Sequence, residues 1–397
     1  MKIGIDLRSL QESSAIRGIG SYATNLMWEI SKIDKDNEYY IFAYSTQADY
    51  IQKKIPHSAN INFLFLGKPK LRGKFIIRTL FLSNEKLKKK YTTQLDSVLL
   101  LDPLYEIKEF SKGVPVVMDL IPIIYPQKYL EVKIERRNPQ GLFIYIKRLA
   151  LRRKFINTFL GVNKYKKIIT ISNASANDIN KIANVPYKKI SAIHLGTIKL
   201  KKQENAKPTR EISEKYFLYV GGTDWRKNLI KFIADIRKML TKNDLRFVIA
   251  GSEMTNRLVV ESNKISKFIK KNNLEKYVIT PGYVSDGELS YLYENAEAFV
   301  FPSRYEGFGL PVLEAMQSGC PVVAYDNSSI PEVAGNAAIL VKDGESMVPA
   351  LEDLMQDKGK RKALIEKGYK QAEKFSWKRT AQETIKVLEG VGDENRH

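Results

Sequence analysis

The hydrophobic pattern of this 397-residue chain alternates between two periods, stops once, and then starts again. Short apolar runs of strand character are KIGID (2–6), EYYIFAY (38–44), INFLFL (61–66), SVLLL (97–101), PVVMDL (115–120), KIITIS (167–172) and KISAIHL (189–195). Between the first two, residues 22–33 carry apolar side chains at helical spacing, and Ser21 reads as their cap. Residues 199–215 are polar and aperiodic, which reads as a linker. The alternation resumes with YFLYVGG (216–222), RFVIAG (246–251), KYVITPGYV (276–284), AFVFPS (298–303), PVVAYD (321–326) and AAILV (337–341). Helices are expected at 228–240, 255–272, 286–296 and 311–318, and SDGE at 285–288 has capping-box spacing. Two more helical patterns, 345–375 and 376–390, close the chain.

Strands alternating with helices call for parallel sheets covered by helices. The expected fold class is therefore α/β, with two doubly wound domains at 1–198 and 216–375 on either side of the linker. Ligands of such sheets bind beyond the carboxyl ends of the strands, and a cleft between the two domains is the default site. The length suffices for two hydrophobic cores without staples. A single cysteine, Cys320, excludes a disulfide framework and fits a reducing compartment. Three histidines (His57, His194 and His397) and no cysteine cluster make a metal centre unexpected. Met1 leads straight into a strand pattern, so no secretory leader is expected, and no apolar window is long enough for a spanning helix.

Four segments carry candidate chemistry. In PSRYEGFGLPVLEAMQSGCPVV (302–323) a strand runs into a loop bearing Glu306, Gly307, Phe308 and Gly309, and Pro311 suits the first turn of a helix. Backbone N–H groups at such a helix start favour an anion or a hydroxyl, and Glu306 and Glu314 suit sugar and ribose hydroxyls. A glycine turn followed by a dipole-favoured glutamate fits the spacing equally well. In YVGGTDWRKNL (219–229), Arg226 and Lys227 follow a strand end and suit a diphosphate, although a solvated basic turn reads the same way. RGIGSY (17–22) places Gly18 and Gly20 before a helix but lacks the third glycine of a dinucleotide fingerprint. MDLIP (118–122) puts Asp119 at a strand end, where it is either structural or cleft-facing.

Taken together and in this order, these segments resemble the retaining GT-B glycosyltransferases of glycosyltransferase family 4. The likeness is strongest over 216–335, where FVFPSRYEGFGLPVLEAMQSGCPVVA carries the paired glutamates. It extends to YVGGTDWRKNL, VVMDLIPIIYP, ITISNASANDI and RGIGSYATNL. The resemblance implies two Rossmann-like domains facing across a cleft, with 376–397 forming a helix that crosses back to the first. It implies a hexosyl transfer, with retention, from a UDP-, GDP- or dTDP-sugar to a glycan, lipid-linked or polymer acceptor. By position, Arg226 and Lys227 would take the diphosphate, Glu306 the sugar hydroxyls and Glu314 the ribose. Phe308, Gly309 and Leu310 would offer backbone N–H groups, Tyr283 and Val284 would lie by the base, and Gly18 and Gly20 would approach from the other domain. No metal or cofactor is implied. One departure is Met118, where many members have a histidine before the aspartate, here Asp119.

Charge adds a partner class. Residues 1–199 carry 34 basic and 16 acidic side chains, whereas residues 200–397 carry 31 and 28. The excess gathers at 68–90, including Lys88, Lys89 and Lys90, and at 133–167, including Arg152, Arg153 and Lys154. Basic residues interleaved with apolar ones suggest an anionic membrane surface or anionic polymer, and a peripheral place on the inner face of the cell membrane. The same pattern also describes a core helix with a solvated face. A nucleotide-sugar epimerase and an inactive partner subunit are the alternatives of like architecture. A nucleic-acid-binding protein would match the charge but lacks a recognition motif.

Overall fold

The computed structural model describes residues 1–11, 18–66, 94–103, 112–130, 139–198, 200, 212, 215–255 and 259–394, and the side chains of these except 139–148. They form two compact units, Met1–Gly196 with Trp377–His397, and Thr197–Ser376.

In the first unit the strands are β1 (Lys2–Asp6), β2 (Glu38–Tyr44), β3 (Ile61–Leu66), β4 (Ser97–Leu100), β5 (Gly113–Pro115), β6 (Ile168–Thr170) and β7 (Ile190–Ala192). The first five pair in the order β3-β2-β1-β4-β5, and β6 pairs with β7. A parallel bridge from Val116 to Ile169 and a bond from the Val117 N–H to the Ile169 carbonyl (2.8 Å) carry the pairing from β5 to β6. Strands buried on both faces need continuous apolar runs, and β4 is buried throughout. Phe42, Leu100, Val117, Ile168 and Ile179 meet in the core on that side.

The helix expected from residue 22 starts a turn earlier and spans Gly18–Ile33. Ser21 is thus inside the helix, where its hydroxyl accepts from Asn25, and does not cap it. Gly18 and Gly20 occupy the first turn and not a loop ahead of it. The closing helix Trp377–Asp393 packs in this same unit, with Trp377 edge-on to Tyr22 (centroids 6.0 Å) and Thr380 donating to the His194 carbonyl (2.7 Å). Asp34 and Asp36 have DxD spacing, which the expectation of a metal-free site leaves out of account. Asp34 accepts from the Asp36 and Asn37 N–H groups, the Asn37 side chain and the Tyr39 hydroxyl, so its carboxylate serves the turn into β2.

In the second unit the strands are β8 (Tyr216–Val220), β9 (Arg246–Ala250), β10 (Val278–Gly282), β11 (Ala298–Phe301), β12 (Val322–Asp326) and β13 (Ala338–Lys342). All are parallel, in the order β10-β9-β8-β11-β12-β13. The strand order reverses between β8 and β11, and that switch point opens the ligand crevice of a doubly wound sheet. The capping box at Ser285 and Glu288 forms. The pattern expected as one helix over 345–375 is two, Val348–Gln356 and Lys358–Ala372. Asp357 breaks it: its backbone is extended, and its carboxylate caps the second helix through the Lys360 N–H (2.8 Å). The chain between the units, apart from residues 200, 212 and 215, lies outside the described residues, as does the basic stretch with Lys88, Lys89 and Lys90.

Candidate active site

The site grows from the two strands that flank the switch point of the second unit. After β8 the chain passes through two glycines to Asp224. The Asp224 carboxylate accepts from the Arg226 N–H (3.1 Å) and caps a 3-10 turn over Trp225–Lys227. Asn228 then takes a left-handed conformation (φ 59°), which asparagine tolerates, and turns the chain into the helix Leu229–Asn243. After β11 the chain runs through Ser303 to Glu306. The two loops are tied by the Arg304 N–H donating to the Arg226 carbonyl (2.8 Å).

This geometry brings Arg226, Lys227 and Glu306 together. Lys227 Nζ donates to one carboxylate oxygen of Glu306, and Arg226 Nη1 to the other, both at 2.6 Å. Arg226 also donates to the Tyr305 carbonyl (2.7 Å) and lies 3.7 Å from Asp224. The Lys227 ammonium sits over the Phe301 ring, 5.2 Å from its centroid. Only 6% of Glu306 is exposed, so its charge survives through its partners. Burial alone would raise its pKa, but Lys227 and Arg226 outweigh burial and hold the carboxyl below the usual range. Burial pulls Lys227 down, and Glu306 opposes that.

The Glu306 loop is held from behind by two serines. The Ser328 hydroxyl accepts from the Glu306 N–H (3.0 Å), and the buried Ser329 hydroxyl donates to the carbonyls of Glu306 (3.1 Å) and Phe308 (2.6 Å). Sequence reasoning missed both, because two serines between a strand and the next apolar run carry no signal of their own. Phe308 is buried against Phe375 (centroids 5.9 Å). Gly309 has φ 116°, and a Cβ there would lie 2.8 Å from the Ile330 side chain, so this turn needs glycine. Leu310 opens the helix Leu310–Gln317, whose first N–H groups have no acceptor within the helix.

Glu314, one turn in, accepts from the Tyr293 hydroxyl (3.1 Å), and its pKa is raised chiefly by burial. Tyr293 is another support that the sequence reading missed, since its position marks it only as an apolar helix residue. Tyr283 and Val284 follow β10, and Tyr283 is 78% exposed. A fourth support lies beside the Arg226 turn, where Glu253 accepts from the Thr223 N–H (2.7 Å) and hydroxyl (3.1 Å).

Gly18, Gly20 and Asp119 belong to the first unit. Asp119 lies beyond β5 and accepts from the Ile121 N–H (3.0 Å) at the start of a short helical turn, Ile121–Ile124. Arg152, Arg153 and Lys154 sit in the helix Pro139–Leu160, with Arg153 exposed and the other two half-buried. Among the described residues no helix is long and apolar enough to cross a membrane.

Residues 201–371, which carry all the site elements of the second unit, match the family model of the glycosyl transferases group 1. That segment is a group 1 glycosyl transferase domain. Over 229 residues the chain is 30% identical to O-antigen chain mannosyltransferase B of Escherichia coli, covering 55% of this chain and 59% of that protein. The chain thus aligns with less than two thirds of the length of the curated relatives it matches first. Among solved structures it is similar to a sucrose-phosphate synthase from Thermosynechococcus elongatus, with a TM-score of 0.72 at 18% identity, covering 98% of this chain and 99% of that one. It is also similar to Anabaena Alr3699/HepE in complex with UDP and glucose, with a TM-score of 0.68 at 14% identity, covering 98% and 99%. These likenesses show that the group 1 domain and the unit before it together have the GT-B fold.

Proposed function

We propose that the chain transfers a hexosyl group from a nucleotide-diphosphate sugar to a glycan, lipid-linked or polymer acceptor, with retention of configuration. The observation that carries this reading is the convergence of Arg226, Lys227 and Glu306 at the strand switch point of a group 1 domain. Two cations on adjacent residues suit a diphosphate, and a buried carboxylate between them suits sugar hydroxyls. Glu314 serves the ribose, Phe308, Gly309 and Leu310 offer backbone N–H groups, and the exposed Tyr283 beside Val284 lies by the base. Gly18, Gly20 and Asp119 of the first unit are proposed to serve the donor as well. The mannosyl class is favoured by the name of the E. coli relative, and a nucleoside-diphosphate donor by the UDP bound to the Anabaena protein.

In the reaction the bond from the sugar's anomeric carbon to the phosphate oxygen breaks, and the acceptor oxygen bonds to that carbon. The acceptor's proton passes to the leaving phosphate, so no separate protein base is required. Arg226 and Lys227 stabilise the charge that grows on the diphosphate. With two cations in place, the transferase is proposed to need no divalent metal. Release of nucleoside diphosphate coupled to sugar transfer should persist in excess chelator. Activity lost to chelator and restored by Mn²⁺ or Mg²⁺ contradicts this, and sugar conversion with no net release points to an epimerase.

The basic first unit is proposed to place the enzyme at an anionic membrane surface through Arg152, Arg153 and Lys154, together with Lys88, Lys89 and Lys90. Each cation near such a surface is worth about 1 kcal/mol. Sedimentation should show binding to anionic vesicles that weakens with salt. Equal binding to zwitterionic vesicles would end this part of the proposal.

A further inference from the structure

Glu306 holds the same two donors that the proposed function assigns to the diphosphate. Its two oxygens take one bond each from Lys227 Nζ and Arg226 Nη1, both at 2.6 Å. A phosphate oxygen that reaches those donors must take them from Glu306. The glutamate cannot turn to solvent instead, because only 6% of it is exposed and its backbone is fastened by Ser328 and Ser329. A buried carboxylate deprived of its donors carries a large desolvation cost unless replacements arrive.

The two diphosphate ligands of such a site differ in whether they bring replacements. An intact nucleotide-sugar presents sugar hydroxyls that can donate to the carboxylate as it yields the cations. A nucleoside diphosphate, the product, has lost that sugar. We infer that Glu306 is a selectivity element: it competes with diphosphates for Arg226 and Lys227, and so lowers the affinity of the free nucleoside diphosphate relative to that of the intact donor. This inference rests on the reading that the cation pair receives the diphosphate. Its functional consequence is easier product release and weaker product inhibition.

Glutamine at 306 keeps the shape and one acceptor but removes the competing charge. The cations are then left short of an anion, and a diphosphate supplies one. Calorimetric titration of the wild type, Glu306→Gln, Glu306→Ala and Lys227→Ala with UDP, GDP and inorganic pyrophosphate tests this. The dissociation constant of a bound diphosphate should fall roughly tenfold or more in both Glu306 variants, the scale of one charge-assisted hydrogen bond. Glu306→Asp, which keeps the charge, should remain within a fewfold of the wild type, and this comparison serves if the neutral variants fold poorly. The ratio of free diphosphate to intact donor affinity should move in the same direction.

Unchanged or weaker diphosphate binding in both neutral variants, or an aspartate variant that binds as tightly as they do, overturns the selectivity role. If Lys227→Ala still weakens the same probes, the assignment of the diphosphate to the pair survives that failure. If no probe binds the wild type, or Lys227→Ala leaves binding untouched, the underlying assignment fails as well.

Discussion

Lys227→Ala is expected to lower the turnover of sugar transfer on the order of a hundredfold, with a smaller effect on donor affinity. Negative charge on the diphosphate grows as the glycosidic bond breaks, so a cation beside it matters most at that moment. Lys227 is the cleaner of the two cations to remove. Its side chain is held by Glu306 and the Phe301 ring, whereas Arg226 also binds the Tyr305 carbonyl, and its own carbonyl takes the Arg304 N–H. An Arg226 variant therefore mixes lost charge with a loosened junction between the two site loops. Steady-state kinetics at saturating donor decide the matter: near-normal turnover in Lys227→Ala would remove it from the leaving-group role. A stability loss is expected alongside, since Glu306 would keep one cation of two in a buried setting.

Phe299→Ala should destabilise the second unit by about 3–5 kcal/mol, the usual cost of emptying a large aromatic site in a core. Phe299 is fully buried in β11, between the rings of Tyr293 (5.5 Å) and Phe301 (5.7 Å). Both neighbours serve the site: Tyr293 donates to Glu314, and Phe301 lies under the Lys227 ammonium. The cavity should therefore weaken nucleotide binding as well as folding, through Tyr293 and Phe301. Denaturant unfolding gives the first quantity and a nucleotide titration the second. A loss of stability below about 1 kcal/mol would mean that the aromatic cluster repacks around the missing ring.

The parallel α/β architecture was legible because its central strands are buried on both faces and must be written as continuous apolar runs, as in AFVF and VVAYD. Helix boundaries were less so. The start of Gly18–Ile33 is hidden in the sequence because Ser21 resembles a cap, while the helix tolerates two glycines in its first turn. Asp357 gives no break in the sequence, because the residues on both sides of it keep helical character. Arg226, Lys227 and Glu306 stand out because charged residues after strand ends interrupt the apolar pattern, and Glu314 because it lies eight positions on from Glu306, inside the helix that follows. Their meeting does not, since Lys227 and Glu306 are 79 positions apart and are brought together by the pairing of β8 with β11 and by the bonds between the loops that follow these strands. The supports Ser328, Ser329, Tyr293 and Glu253 are common polar residues, and only tertiary contact separates them from other such residues.

The second unit is proposed to bind a nucleotide-diphosphate sugar through Arg226, Lys227 and Glu314. A melting-temperature panel of UDP, GDP, dTDP and their sugars checks this, because a ligand that binds the folded chain raises its apparent stability. At least one nucleotide should raise the melting temperature of the wild type, and the rise should shrink in both Lys227→Ala and Glu314→Ala. A panel with no rise, or a rise undiminished in both variants, would contradict the account.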